Sequence, residues 1–299
     1  MLRRFVPAAI FLFIAATASA FTADELIAKN IEARGGIEKL HAIHSLHLTG
    51  KIHFGATTLD YASTTKRPGM MRREVSWQGL TAVTAYDGSV GWRINPFRGR
   101  VDPERLAADN LKELQLDADL DGPLVDYKAK GNTVEYLGTE DVDGTDAHKL
   151  KVTLKNGDVR FVYLDPDYFL EIRTLDQTRI RGAEQEEESD IGEYEQVNGV
   201  YIPFSVETGP KGEPKDQKIS IEKAEANLEV EDTAFHFPAP KTSSILSNAP
   251  LAPSLSKDGE SFPEIVSGSV GFPSLDKEGS KGWLNFDESG AMDLHGRMQ

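Results

Sequence analysis

Lys149-Leu150-Lys151-Val152-Thr153-Leu154-Lys155-Asn156-Gly157-Asp158-Val159-Arg160-Phe161-Val162-Tyr163-Leu164 is the stretch whose reading decides the fold. Asn156-Gly157 is the strongest short-range hairpin signal, because a two-residue type I′ turn needs positive φ at both central positions. A two-residue loop sets Leu154 opposite Val159, Val152 opposite Phe161 and Leu150 opposite Tyr163, all on one face. The other face then carries Lys155/Asp158, Thr153/Arg160 and Lys151/Val162. One apolar and one mostly polar face predict an antiparallel sheet buried on a single side.

More strands extend outward from this pair. Leu46, Leu48, Ile52 and Phe54 alternate with polar residues, and Gly50 allows a bend. Leu59-Asp60-Tyr61, then Met71, Val75 and Trp77 with Arg73 among them, then residues 80–86 and Trp92-Arg93-Ile94, read as four further strands. Beyond the central hairpin, residues 169–175, an Asn198-Gly199 hairpin, 218–224 and 234–237 complete the sheet. Pro203 lacks the amide that a neighbouring strand needs, so the sheet is expected not to close there.

Two segments read as helical. Thr22-Ala23-Asp24-Glu25 is a capping box, followed by a stripe of Leu26, Ile27 and Ile31 that Asn30 interrupts. Arg34-Gly35-Gly36 breaks it before a short piece carrying Ile37, Leu40 and Ile43. Asp102 as N-cap, Pro103 at the first position and Glu104 predict a second helix, with Leu106, Ala107, Leu111 and Leu114 on one stripe.

Residues 1–20 have a basic start, an apolar middle and Ala18-Ser19-Ala20, the pattern of a secretory signal cleaved after Ala20. The apolar run is too short for a membrane span, so a free periplasmic protein is expected. Zero Cys excludes disulfides and a cysteine-linked lipid anchor. The chain carries 48 acidic against 33 basic residues, a net charge of −15, which argues against nucleic acid and anionic membrane surfaces as partners. Residues 21–240 read as one domain, and 241–299, rich in Ser, Gly and Pro, as a disordered tail.

Motifs of catalysis are missing: no nucleophile elbow, zinc-protease helix, phosphate loop or dinucleotide fingerprint. No enzyme and no cofactor is expected. The acidic runs 117–121 and 184–188 read as solvated loops or helix ends. Of the histidines His41, His44, His47 and His53, the last two share a strand face but lie about 20 Å apart along it, too far for one metal ion. Met71, Trp77, Trp92, Phe161 and Tyr163 fit either a filled core or the wall of a lipid cavity, since both produce the same alternation.

Lys66-Arg67-Pro68, Trp77, then Asp87-Gly88 with Trp92 and Asn95-Pro96-Phe97, resemble the periplasmic lipoprotein carrier family LolA. Phe235-His236-Phe237-Pro238 resembles that family's closing strand. The resemblance implies a mainly β fold, an unclosed antiparallel half-barrel whose concave face is lidded by helices. It implies a carrier of lipoprotein acyl chains or other lipid to the outer membrane. A monomer is expected, with an inner-membrane ABC release complex and an outer-membrane acceptor as partners. Leu46, Leu48, Ile52, Phe54, Met71, Val75, Trp77, Trp92, Leu106, Leu111, Leu114, Val152, Phe161 and Tyr163 would line the ligand site, and Arg67 would latch the lid. Related half-barrels also act in envelope regulation, so a regulatory or scaffolding protein that binds a polypeptide on the same sheet is the competing expectation.

Overall fold

A computed structural model describes residues 21–180 and 182–239. The expected signal segment, 1–20, and the expected tail, 241–299, lie outside the described residues. The first strands are Ser45–Phe54 (β1), Thr57–Lys66 (β2), Met70–Trp77 (β3), Leu80–Tyr86 (β4), Gly91–Asn95 (β5) and Arg100–Arg105 (β6). Thr133–Val142 (β7), Thr145–Thr153 (β8), Val159–Leu164 (β9) and Glu171–Ile180 (β10) follow. Ala183–Val197 (β11), Val200–Pro210 (β12) and Gln217–Ala226 (β13) finish the series.

These form one antiparallel sheet in the order β6-β5-β4-β3-β2-β1-β13-β12-β11-β10-β9-β8-β7. Only the β1–β13 pairing is non-sequential. Among the described residues β6 and β7 are the two edges, and the sheet forms an unclosed half-barrel. Gly50 sits at a bulge against β13, and a Cβ there would lie 2.1 Å from the Ser220 carbonyl oxygen. No other residue tolerates that approach. Pro203 falls just beyond the β12–β13 ladder, which spans only Ser205 to Thr208 on β12. Nearby, the Tyr201 amide donates to the Arg34 carbonyl at 2.9 Å.

The organising hairpin forms, but one residue out of the expected register. Leu150 pairs with Val162 and Val152 with Arg160. Gly157 has φ +88, whereas Asn156 stays out of the left-handed region, and Leu154 N donates to Asp158 O at 2.9 Å. The loop therefore holds three residues, with Gly157 alone in the left-handed conformation, rather than a type I′ pair. A one-residue slip exchanges the faces of one strand. Val162 and Leu164 join Leu150 and Val152 in the core, while Phe161 and Tyr163 move to the outer face. There Lys149 Nζ lies over both rings, 4.7 and 5.1 Å from their centroids. At Asn198-Gly199 both residues have positive φ and Val197 pairs with Val200, as expected.

Helix α1, Ala23–Ala33, carries the complete Thr22/Glu25 capping box, and α2 is Ile37–His41. The third helix, α3, is Ala108–Asp117 and begins later than expected. Asp102-Pro103-Glu104 lies instead in β6, where Pro103 sits on an edge strand and spares the sheet a missing donor. A short turn of helix, α4, spans Tyr127–Lys130. The acidic run 184–188 belongs to β11 rather than to a loop.

Residues 234–237 form no strand. They belong to a strap that crosses the outer face after β13. Along it, Lys66 Nζ donates to Val230 O at 2.6 Å, Arg72 Nη1 to Ala234 O at 3.0 Å and Trp92 Nε1 to Phe235 O at 2.7 Å. Phe235 is fully buried.

Candidate functional site

Strand register assigns the faces. Leu46, Leu48, Ile52 and Phe54 of β1 align through β2 with Met71, Arg73, Val75 and Trp77 of β3, then with Ala82, Thr84 and Tyr86 of β4. The helices cover this concave face in three places. Leu26 and Ile27 of α1 pack on Leu150, Val152, Val162 and Leu164. Leu40 of α2, with Ile43 and Val125, packs on Val200, Ile202 and Phe204, with Leu46 and Leu48 alongside. Leu111 and Leu114 of α3, with Leu106 before it, pack on Met71 and Tyr86. Ile52, Phe54, Val75 and Trp77 form a further cluster closed by Phe97 from the Asn95-Pro96-Phe97 block.

Eight of the fourteen expected ligand-site residues thus lie on the covered sheet face, and Leu106, Leu111 and Leu114 lie on the lid that packs against it. The other three do not. Trp92 is on the outer face with Val83 and Ala85, because its β5 register places it beside Ala85 rather than Thr84. Phe161 and Tyr163 are outside because of the hairpin slip.

Arg67 makes four hydrogen bonds to the segments that cover the concave face. Nη1 and Nη2 bind the two Asp121 carboxylate oxygens, each at 2.6 Å. Nε donates to Ile43 O at 2.7 Å and Nη2 to Leu40 O at 3.0 Å, carbonyls at and just past the end of α2, where Leu40 O also accepts from Ile43 N at 3.2 Å. Asp121 is 5% exposed. Burial would raise its carboxyl pKa, but Arg67 outweighs burial and holds it below the usual carboxylate range. Asp121 was not legible as a site residue, since the run 117–121 reads as solvated surface. It is instead the buried half of a bidentate pair, the geometry that arginine favours.

Helix α3 bridges the two halves of the sheet. On one side Arg73 of β3 pairs with Glu113 and Asp117. On the other, Lys112 Nζ reaches Asp158 Oδ1 and Arg179 O, both at 3.1 Å. Beneath it runs a row of charges. Arg160 of β9 makes two 2.6 Å bonds to Asp176 of β10, and Glu187 of β11 stands directly across from Asp176. Desolvation among these acids, with Glu113, Asp176 and Asp117 close by, pushes the Glu187 carboxyl up to about 7, although the residue keeps an exposed side.

Between the lid and strands β9–β12 lies a cavity of about 210 Å³. Its walls include Arg34, Leu116, Leu120, Arg160, Ile191 and Tyr194. A wider opening of about 520 Å³, lined by Lys112, Asp158, Gln177 and Glu184 among others, lies between α3, the 156–159 turn and the β10–β11 tip. None of the expected ligand-site residues lines either space. Arg34, read from sequence only as part of a helix break, lines the smaller space.

The histidines sit apart from this site. His47 and His53 pair across strands with Thr64 and Thr58, at 2.8 and 3.0 Å, and His41 Nε2 lies 3.1 Å from Asp126. No group of metal-binding side chains is present among the described residues.

No protein-family model and no curated protein sequence matches the chain. Solved structures do. A DUF1329 family protein from Desulfovibrio piger matches at 12% identity and TM-score 0.50, covering 72% of this chain and 97% of that one. A LolA superfamily protein from Nitrosomonas europaea matches at 12% identity and TM-score 0.50, covering 73% and 98%. The fold is LolA-like.

Proposed function

We propose that this LolA-like chain is a non-catalytic carrier that holds the acyl chains of a lipid or lipoprotein between its concave sheet and its helical lid. The observation that carries the reading is the lid itself: apolar on its inner side, and fastened at its end by the buried Arg67–Asp121 pair. A cavity of about 210 Å³ is below the ~300–1,000 Å³ typical of small-molecule sites. A ligand with long chains therefore enters by displacing the lid and taking over the surfaces that Leu106, Leu111 and Leu114 now cover.

The energetics are compatible with such an exchange. Each buried methylene contributes about 0.8 kcal/mol, so a ten-carbon chain offers roughly 8 kcal/mol against undocking the lid. Periplasmic passage, a release complex in the inner membrane and an acceptor at the outer membrane belong to the same reading. Titration of the full chain with a fluorescent fatty acid tests it. Saturable binding that a non-fluorescent acyl lipid competes away is expected. Absence of binding at micromolar protein would count against it.

A further inference from the structure

We infer that the cavity under the lid takes the anionic end, a carboxylate or a phosphate, of an aliphatic ligand, with Arg34 as its counter-ion. This rests on the carrier reading and narrows its ligand class. Arg34 is the C-cap of α1 and reaches across to the lid, where its Nη1 donates to the Asp121 carbonyl at 2.7 Å. Its guanidinium lines the cavity. Arg67, Arg73 and Arg160 on the same face each pair with a carboxylate. Among the described residues Arg34 forms no ion pair.

A guanidinium has five N–H donors and stays protonated. One donor is spent on Asp121, which leaves a fixed cation facing the cavity. The acids in the walls do not cancel it. Asp117 is taken by Arg73, and Asp119 by Lys130 at 2.6 Å. The Glu171 carboxylate bears on Arg160 and Tyr194, and no ion pair joins it to Arg34 among the described residues. Leu116, Leu120 and Ile191 supply apolar wall in the same cavity. A cation and aliphatic surface lining one cavity match a chain with a charged head. A free anion fits poorly, because it leaves the apolar wall unused.

The test is calorimetric titration of the full chain at pH 8 with decanoate, decyl phosphate, decanol and inorganic phosphate. A charge-assisted bond to guanidinium makes the two anionic chains bind about tenfold or more tighter than decanol, with no binding of inorganic phosphate. Arg34→Gln brings the decanoate-to-decanol ratio toward one, and Arg34→Lys restores part of it. Equal affinity of the wild-type chain for decanol and decanoate would overturn the inference while leaving the carrier reading intact, and needs no variant. Selectivity that persists in a folded Arg34→Gln chain would also overturn it, as would inorganic phosphate binding as tightly as decyl phosphate. Failure of all three decyl ligands to bind would overturn the carrier reading and the inference together.

Discussion

Replacing Arg67 by Leu removes the guanidinium from a site where Asp121 is 5% exposed and the Arg67 side chain 29% exposed. Four hydrogen bonds go, two of them to a carboxylate. Breaking a buried ion pair costs about 3–5 kcal/mol when the remaining charge stays buried. Partial exposure of Arg67 screens the pair, so a coupling of roughly 2 kcal/mol with Asp121 is the reasoned value. The stranded carboxylate has an escape, because the lid can lift into water. Lid opening should then become about 30-fold easier, since each 1.4 kcal/mol is a factor of ten.

Native-state hydrogen exchange reads this directly. In Arg67→Leu the amides of α3 and the end of α2 should exchange about 30-fold faster, while those of β8 and β9 hardly change. A double-mutant cycle with Asp121→Asn should return the same coupling. Acid should mimic the variant. The Asp121 carboxyl is depressed, so its contribution is fully present above the ordinary carboxylate range and is lost as pH falls below it. A coupling under about 0.5 kcal/mol, or equal acceleration in α3 and β8–β9, would refute the latch.

Three further outcomes follow from the same geometry. A Cβ at Gly91 would lie 2.3 Å from Leu111 Cδ2 and 3.2 Å from Leu114 Cδ1, so Gly91→Ala should push α3 outward and raise protease cleavage within residues 106–118, with the strand amides still protected. Leu111→Asp should abolish acyl binding yet leave the thermal midpoint within a few degrees, because the helix can turn the carboxylate to water; global unfolding would mean a filled core instead of a lid. Glu187 has its carboxyl raised, so its ionisation opposes the closed state progressively from about pH 4.5 up to about 7 and fully above it. Glu187→Gln should therefore raise the melting temperature at pH 8 and have little effect at pH 4.5; an equal effect at both would show that charge is not the cause.

Period-two alternation, the capping box at Thr22 and the Asn198-Gly199 turn were all legible, because each depends on local backbone chemistry. The slip at Asn156-Gly157 was not. Asn-Gly suits both a type I′ turn and a turn with one left-handed glycine, and β9 offers an apolar pair on either face: Phe161/Tyr163 or Val162/Leu164. Packing under Leu26 and Ile27 selects the second. Asp102-Pro103-Glu104 has helix-start chemistry, yet pairing with β5 draws it into an edge strand. Trp92 faces outward because the strap brings Phe235 and Phe237 over it, a contact between residues 143 positions apart that no local pattern encodes. The acids Asp117 and Asp121 look solvated in sequence, since the arginines that bury them come from β3 and from the end of β2.

The carrier claim is tested most directly by extracting the full chain, purified without detergent, into organic solvent and analysing the extract by mass spectrometry. The expected result is acyl-bearing lipid in near-equimolar amount, lost when Leu111→Asp is purified in the same way. A lipid-free extract from wild-type protein that also fails to take up acyl lipid offered in solution would contradict it.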